Sequence, residues 1–138
     1  MTDLDLVAKK LALIETYLRE LREFANLAAL ASDLRERRFI EHTLQIAIQA
    51  VLDVASHIVS DDRLGEPETN AQLFDRLAEA GWISAAQRRA LVAMAGFRNI
   101  LVHGYATVDL DIVRDVIEHH LADLDDFVAA VRARLAAR

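Results

Sequence analysis

Apolar residues recur every three or four positions along almost the whole chain, which is the spacing of helices with one buried face. The first stretch shows this spacing in Leu4, Val7, Leu11, Ile14, Leu18 and Leu21. It predicts a first helix from about Leu4 to about Leu30. Because the strand-like alternation of apolar and polar residues is scarce, the predicted fold class is all-α.

A wider apolar stripe predicts a long second helix. Ser32 or Asp33 can cap its N-terminus. The stripe consists of Phe39, Ile40, Leu44, Ala47, Ile48, Val51, Leu52, Ala55, Ile58 and Val59. It is wide enough to contact more than one neighbouring helix. Residues 60–69 hold the only proline of the chain, Pro67. We therefore predict that these residues form the one real loop.

Three more helices are predicted after this loop. A short one carries Leu73, Phe74 and Leu77 on one face, and Gly81 ends it. Ser84 and Gln87 have the spacing of a capping box, which starts a fourth helix that ends near Gly104. A last helix starts at Asp109 and runs through Ile112, Val113, Val116, Leu121, Leu124, Phe127, Val128 and Val131. The predicted architecture is a single domain over residues 1–138, an antiparallel bundle of four long helices and one short helix.

Composition narrows the class of protein. The chain has 138 residues, enough for one core, and no cysteine, which excludes disulfides and thiolate metal sites. Its first residues are acidic where an export signal would be basic, and no uninterrupted apolar run approaches ~18 residues. We therefore expect a soluble, cytoplasmic protein without a membrane span.

The formal net charge of −6 argues against broad, charge-driven binding to nucleic acid. Any contact with RNA must then be local. The candidate basic spots are Arg35, Arg37 and Arg38, the pair Arg88 and Arg89, and the tail residues Arg132, Arg134 and Arg138. For each spot, a solvated helix face or a favourable charge near a helix C-terminus is favoured over RNA contact.

The best candidate for chemistry lies at residues 98–105, with the sequence RNILVHGY. The guanidinium of Arg98 matches phosphate oxygens in geometry and charge. The imidazole of His103 can exchange a proton near neutral pH. Together they suggest phosphodiester cleavage without a metal. From these two residues alone, a surface arginine beside a structurally hydrogen-bonded histidine is the favoured interpretation.

Helix geometry separates the groups of this motif. Each residue turns a helix by ~100°, so Asn99 and His103 lie about 40° apart and Arg98 and His103 about 140° apart. Either the helix frays near Gly104, or the same motif of a second subunit completes the cluster. Tyr105 falls within about 20° of Arg98 on the same projection.

Met94-Ala95-Gly96-Phe97 and the motif that follows resemble the active-site helix of the HEPN superfamily, specifically the HepT toxins that pair with a small nucleotidyltransferase antitoxin. Residues 39–58 are similar to the second helix of these toxins. The match continues in register from Leu73-Phe74 through Gly81-Trp82-Ile83 to Gly96-Phe97-Arg98-Asn99. It covers most of the chain.

The resemblance implies a HEPN bundle that works as a homodimer, with its two motif helices facing across the two-fold axis. It also implies a metal-independent endoribonuclease toxin. His103 would act as general base or acid, Arg98 would stabilise charge on the phosphate, and Asn99 would orient the phosphate or the histidine. DNA lacks the attacking 2′-hydroxyl and would be spared. No cofactor is expected.

The resemblance also gives Tyr105 two interpretations. It is either hydrogen-bonded at the dimer seam or the acceptor on which the antitoxin, MntA in this family, places AMP to silence the toxin. Such a group would compete for the Arg98 that RNA needs. A non-catalytic module that binds a nucleotidyltransferase or a nucleotide is the alternative, and a purely structural dimeric bundle is a third.

Other polar residues favour structural roles. His57 lies among apolar neighbours and is expected to be partly buried. His119 and His120 splay by ~100°, which is poor geometry for a shared metal, so no metal site is predicted. Trp82 is expected to be a packing anchor. Asp53 could pair with a basic neighbour or lie near the site.

Overall fold

The computed structural model describes residues 3–104 and 108–137, and all regular structure in these ranges is helical. Helix α1 spans Leu4–Phe24, α2 Leu34–Asp61, α3 Asn70–Glu79, α4 Ala85–His103, α5 Leu110–His119 and α6 Leu121–Ala136, and a short 3₁₀ turn spans Leu27–Ala29. The prediction of an all-α fold is confirmed.

Several helix ends lie where the sequence predicts them. Asp33 caps α2, since its side chain accepts hydrogen bonds from the backbone N–H groups of Arg35 and Glu36. Ser84 and Gln87 form the reciprocal capping box at the start of α4. Gly81 follows α3 with a φ of 81°, which favours glycine. The turn chemistry of the sequence therefore determines these boundaries locally.

The end of the first helix was predicted wrongly. It lies at Phe24 rather than near Leu30, because Ala25 is extended and the backbone N–H of Asn26 donates to the Glu36 carboxylate of α2 at 2.6 Å. Leu30 is buried in the connection that follows. A hydrogen bond to a distant residue thus ends the helix, and helical spacing could not indicate it.

The predicted last helix is divided in two at His120, so the predicted count of four long helices and one short one is wrong. His120 has a φ of −123°, and its backbone N–H donates to the carbonyl oxygen of Val116 at the C-terminus of α5. Its ring nitrogens lie 3.1 Å from the carboxylate of Asp123 and 3.2 Å from that of Asp115. The apolar positions of α5 and α6 keep their helical spacing across this break, which hides it in the sequence.

Helix α2 lies at the centre of the bundle and packs against α1, α3, α4 and α6. Helix α1 packs mainly on α2 and α6, whereas α4 packs on α2, α3 and α6. Phe74 and Phe127 meet edge to face in the core, with ring centroids 6.5 Å apart. Trp82 is buried as expected, with the Arg134 guanidinium 5.3 Å above its ring.

By length and composition alone, α2 could cross a membrane, since an 18-residue window in it has a mean hydropathy of 1.3. In this fold, however, 61% of that window is buried inside the bundle. Contact with four other helices is a sufficient reason for its apolar composition.

Charged pairs tie α1 to α6 at the surface. Arg132 donates two hydrogen bonds to the Glu15 carboxylate, at 2.9 and 2.6 Å. Arg22 donates to Asp125 at 2.6 Å. The hydrogen bonds from Arg132 lower the pKa of Glu15 below its usual value of 4.5, while partial burial opposes them.

We predict that Glu15→Gln lowers the free energy of unfolding by less than about 1 kcal/mol at pH 7, because the pair is half exposed. Because the pKa of Glu15 is lower in the folded state than in the unfolded chain, its ion pair stabilises the fold fully when the pH is above the unfolded-state pKa. This stabilisation is lost as the pH falls through the folded-state pKa. The difference from the original chain should therefore shrink between pH 5 and pH 3 in urea unfolding followed by circular dichroism. Glu23→Gln, an exposed change on the same helix, should have no such pH-dependent effect.

Candidate functional site

The motif lies on α4, a helix with a buried face and an exposed face. Its fully exposed residues recur at helical spacing, and they are Ala85, Ala86, Arg89, Ala93, Gly96, Asn99, Ile100 and His103. Half of them are alanine or glycine. An alanine side chain at Gly96 would meet nothing within 4 Å. This outer face is therefore shallow and lets another surface approach the backbone closely.

His103 is the last residue of α4, and its side chain is exposed. No hydrogen-bond or ion-pair partner for it occurs among the described residues. Gly104 follows in a helical conformation with φ −76°, and its N–H donates to Ile100 O at 2.7 Å. The helix is thus regular through His103, which removes fraying as a way to bring His103 beside Arg98.

Arg98 is half-buried and leaves α4 about 100° around the helix from Asn99, which lies on the outer face. One terminal nitrogen, Nη1, lies 3.5 Å from Asn99 Oδ1, a long and weak contact. The Nε atom is buried and no group in the described ranges accepts from it. A buried, unpaired donor costs free energy and points to a ligand or a partner chain as its acceptor. Tyr105 lies outside the described residues, and its role stays a prediction.

A cavity of about 240 Å³ adjoins the motif helix, between α4 and the α5–α6 break. Its lining consists of Ala90, Ala93, Met94, Phe97, Ile112, Asp115, Val116, His120 and Asp123. The exposed fractions of Ile100 and Ile112 are 46% and 44%. Sequence reasoning missed these two residues, although a helical projection of α4 would have placed Ile100 on the same face as His103.

A larger cavity, about 520 Å³, lies against the loop between α2 and α3 and has no motif residue in its lining. The motif helix is the better candidate site, because it holds the groups with the required chemistry. Pocket size alone assigns no reaction.

The other candidate residues have structural partners. Asp53 pairs with a basic neighbour, Lys10, at 3.2 Å and also accepts from Gln49 at 2.8 Å. His57 Nε2 lies 2.9 Å from an Asp61 carboxylate oxygen, without hydrogen-bond geometry. Within residues 3–104 and 108–137, no group of three or more histidine and acidic side chains is arranged to hold a metal.

An ion pair engages one arginine in each of the three basic spots. Arg88 pairs with Asp75 at 2.8 Å, Arg132 with Glu15, and Arg37 lies 3.8 Å from Glu41. Arg89 differs, because it is exposed on the outer face of α4. It is the basic residue best located to meet a ligand of this face.

We predict that Gly104→Ala destabilises the protein by ~1–3 kcal/mol, the usual range for overpacking. An added Cβ would lie only 2.4 Å from Ile100 O. His103→Ala, at the same helix end, should change the free energy of unfolding by no more than ~0.5 kcal/mol, because the imidazole is exposed. Urea unfolding of both variants tests this, and equal stability of the two would contradict it.

Comparison with known proteins agrees with this description. A family model described as ribonuclease HepT-like matches residues 14–131. The chain is 30% identical to the mRNA nuclease HepT of Shewanella oneidensis, covering 94% of this chain and 98% of that one. It is 27% identical to the tRNA nuclease HepT of Aphanizomenon flos-aquae, covering 98% and 95% of the two chains.

Among solved structures, the fold matches one described as a tri-AMPylated HEPN toxin of S. oneidensis in complex with an MNT antitoxin. The TM-score is 0.87 at 30% identity, over 96% of this chain and 99% of the other. The sequence, the helical bundle and the motif helix thus agree, and this chain belongs to the family of HepT-like ribonucleases.

Proposed function

We propose that this chain is the toxin of a toxin–antitoxin pair, a metal-independent endoribonuclease of the cytoplasm that a nucleotidyltransferase antitoxin silences. The observation that carries the proposal is the last two turns of α4. There the exposed His103 stands beside Asn99, and neither His103 nor the Nε of Arg98 has a hydrogen-bond partner within residues 3–104 and 108–137. Its relatives bear the names mRNA nuclease and tRNA nuclease.

The active form is a homodimer joined through the outer faces of two α4 helices. Arg98 and His103 point about 140° apart on a regular helix, so one chain cannot aim both at the same phosphate. The small residues Ala93 and Gly96 and the exposed Ile100 suit close contact with a second copy. A two-fold axis here would bring Arg98 of one subunit towards His103 of its partner.

In this site one imidazole removes the proton from the ribose 2′-hydroxyl, and the resulting oxygen attacks the adjacent phosphorus. The bond from phosphorus to the 5′-oxygen breaks, and the imidazolium formed in the first step returns its proton to the leaving oxygen. Arg98 stabilises the charge that develops on the phosphate, and Asn99 orients it. The products are a 2′,3′-cyclic phosphate and a 5′-hydroxyl end.

The cationic groups of α4 would make RNA binding local. Two copies of Arg89 and Arg98 at one seam supply positive charge that the acidic chain as a whole lacks. The affinity that such phosphate contacts provide falls steeply as the salt concentration rises. Binding should therefore be confined to this seam and should weaken as salt rises.

We predict that the purified chain cleaves RNA in the presence of a chelator, and that Arg98→Ala and His103→Ala lose cleavage by ~10²–10⁴-fold. His119→Ala is the matched control, because its exposed imidazole lies outside the motif. RNA with 2′-deoxyribose at the cut site should resist. Cleavage that persists in His103→Ala or needs added divalent metal would reject the mechanism, and inert original protein would favour the non-catalytic binding module.

Mixed dimers test whether each site takes residues from both subunits. If each site takes Arg98 from one subunit and His103 from the other, a dimer of one Arg98→Ala chain and one His103→Ala chain keeps one intact site. Random exchange between the two inactive proteins would then restore about a quarter of the original activity. If both groups of a site belong to one chain, the mixture stays as inactive as its parents.

Control by the antitoxin is proposed to act on Tyr105. The solved S. oneidensis relative is described as AMPylated and in complex with its MNT antitoxin. In this chain Tyr105 directly follows Gly104, past the end of α4 and two residues from His103. An adenylyl group there would put a phosphate where it competes with RNA for Arg98.

We predict that incubation with the cognate nucleotidyltransferase and ATP adds adenylyl mass to the peptide that contains Tyr105, and that cleavage is lost. Tyr105→Phe should stay active in the presence of the partner. Tyr17→Phe is the matched control, since the chain has only two tyrosines. A Tyr105→Phe variant that is still neutralised would mean that complex formation alone blocks the site.

A further inference from the structure

Helix α1 carries a second apolar stripe outside the core. Its buried residues are Val7, Leu11, Ile14, Leu18 and Leu21. Leu6, Leu13 and Phe24 lie on another face, with exposed fractions of 40%, 40% and 64%. Tyr17, half-buried, continues this face. A row of exposed apolar side chains on one helix face points to a contact with another molecule.

Two charged residues complete the row. Lys10 and Glu20 fall on the same face, so the row occupies positions 6, 10, 13, 17, 20 and 24. The steps of four and three residues alternate, as in the seam of a coiled coil. On a helical projection all six positions lie within about 80°. We refer to these six residues as the α1 seam.

The α1 seam is complementary to itself when it is reversed. About a midpoint at residue 15, Leu6 is matched with Phe24 and Leu13 with Tyr17. The same operation matches Lys10 with Glu20, the only charged members of the row. Every apolar residue thus meets an apolar one, and each charge meets its opposite.

We propose that a second copy of this chain docks on the α1 seam, with the two α1 helices antiparallel about a two-fold axis at residue 15. A two-fold interface requires a patch that complements itself, and the α1 seam has this property. A parallel arrangement would set Lys10 against Lys10 and Glu20 against Glu20. The charges therefore select the antiparallel arrangement.

The charged pair is available for this contact. Glu20 has no partner in the described ranges. Lys10 already donates to Asp53 at 3.2 Å, but its ammonium group carries three donors and can bond a second carboxylate. Leu4 is exposed as well, yet it lies about 160° from the centre of the seam and takes no part.

This interface is separate from the one proposed for catalysis. Helix α1 packs on α2 and α6, while the outer face of α4 belongs to a helix packed on α2, α3 and α6. The two surfaces can be occupied at once, which would build assemblies larger than a dimer. The α1 inference does not rest on the proposed nuclease activity.

Cysteine cross-linking tests the arrangement, because the chain contains no cysteine. The double variant Leu6→Cys with Phe24→Cys should oxidise to a covalent dimer with two disulfides. Eighteen residues separate these positions, about 27 Å along the helix, so a disulfide within one chain is impossible. Leu13→Cys with Phe24→Cys is the matched control. Both of its positions lie in the α1 seam but do not face each other, and it should stay unlinked.

Sedimentation velocity gives a second measurement that does not depend on disulfides. Glu20→Lys should halve the mass of the assembly, because it faces Lys10 of the partner with a like charge. Glu23→Lys, on the same helix outside the seam, should leave the mass unchanged. Equal cross-linking of the two cysteine pairs, no cross-linking of either, or an unchanged mass in Glu20→Lys would each overturn the proposal. RNA cleavage is not a readout, so failure here leaves the nuclease proposal intact.

Discussion

The burial of α2 is the constraint on which the rest of the structure depends. Its twelve buried residues contact four other helices, so each neighbour must present an apolar face to it. This requirement fixes the buried faces of α1 and α4 and consequently directs their other faces outward. The exposed surface of α4, with Asn99 and His103, is therefore a consequence of packing as much as of the motif itself.

The motif helix is rigid, yet one of its buried polar groups lacks a hydrogen-bond partner in the described residues. A capping box starts it and the tight Gly104 to Ile100 hydrogen bond ends it, so its last turns are held in regular geometry. Within that frame Arg98 keeps a buried donor that has no acceptor in the described part of the chain. Such an unpaired group costs stability unless something else meets it, and a phosphate or a second subunit can do so. A site held this firmly reduces the reorganisation needed when substrate binds.

Much of this fold could be predicted from the sequence, because caps and apolar spacing are local signals. Asp33, Ser84 and Gly81 all mark helix ends through contacts within three or four residues. The errors arose where distant residues decide the backbone, at Asn26 through Glu36 and at His120 through Asp115. For the site, ideal helix geometry separated Arg98 from His103, but the burial of the Arg98 Nε depends on packing against neighbouring helices.

A chain of net negative charge that cuts RNA needs arginine side chains without ion pairs close together, where they can bind phosphate. Arg88 and Arg132 are held in ion pairs, which leaves Arg89 and Arg98 as the arginines of α4 that form no ion pair within the described residues. Joining two α4 faces would double this local charge while the remaining acidic surface repels RNA elsewhere. The contact proposed on the α1 seam would use opposite charges in a different way, to set orientation rather than to attract substrate. Assembly through both faces would thus separate the surface that reads phosphate from the surface that builds the oligomer.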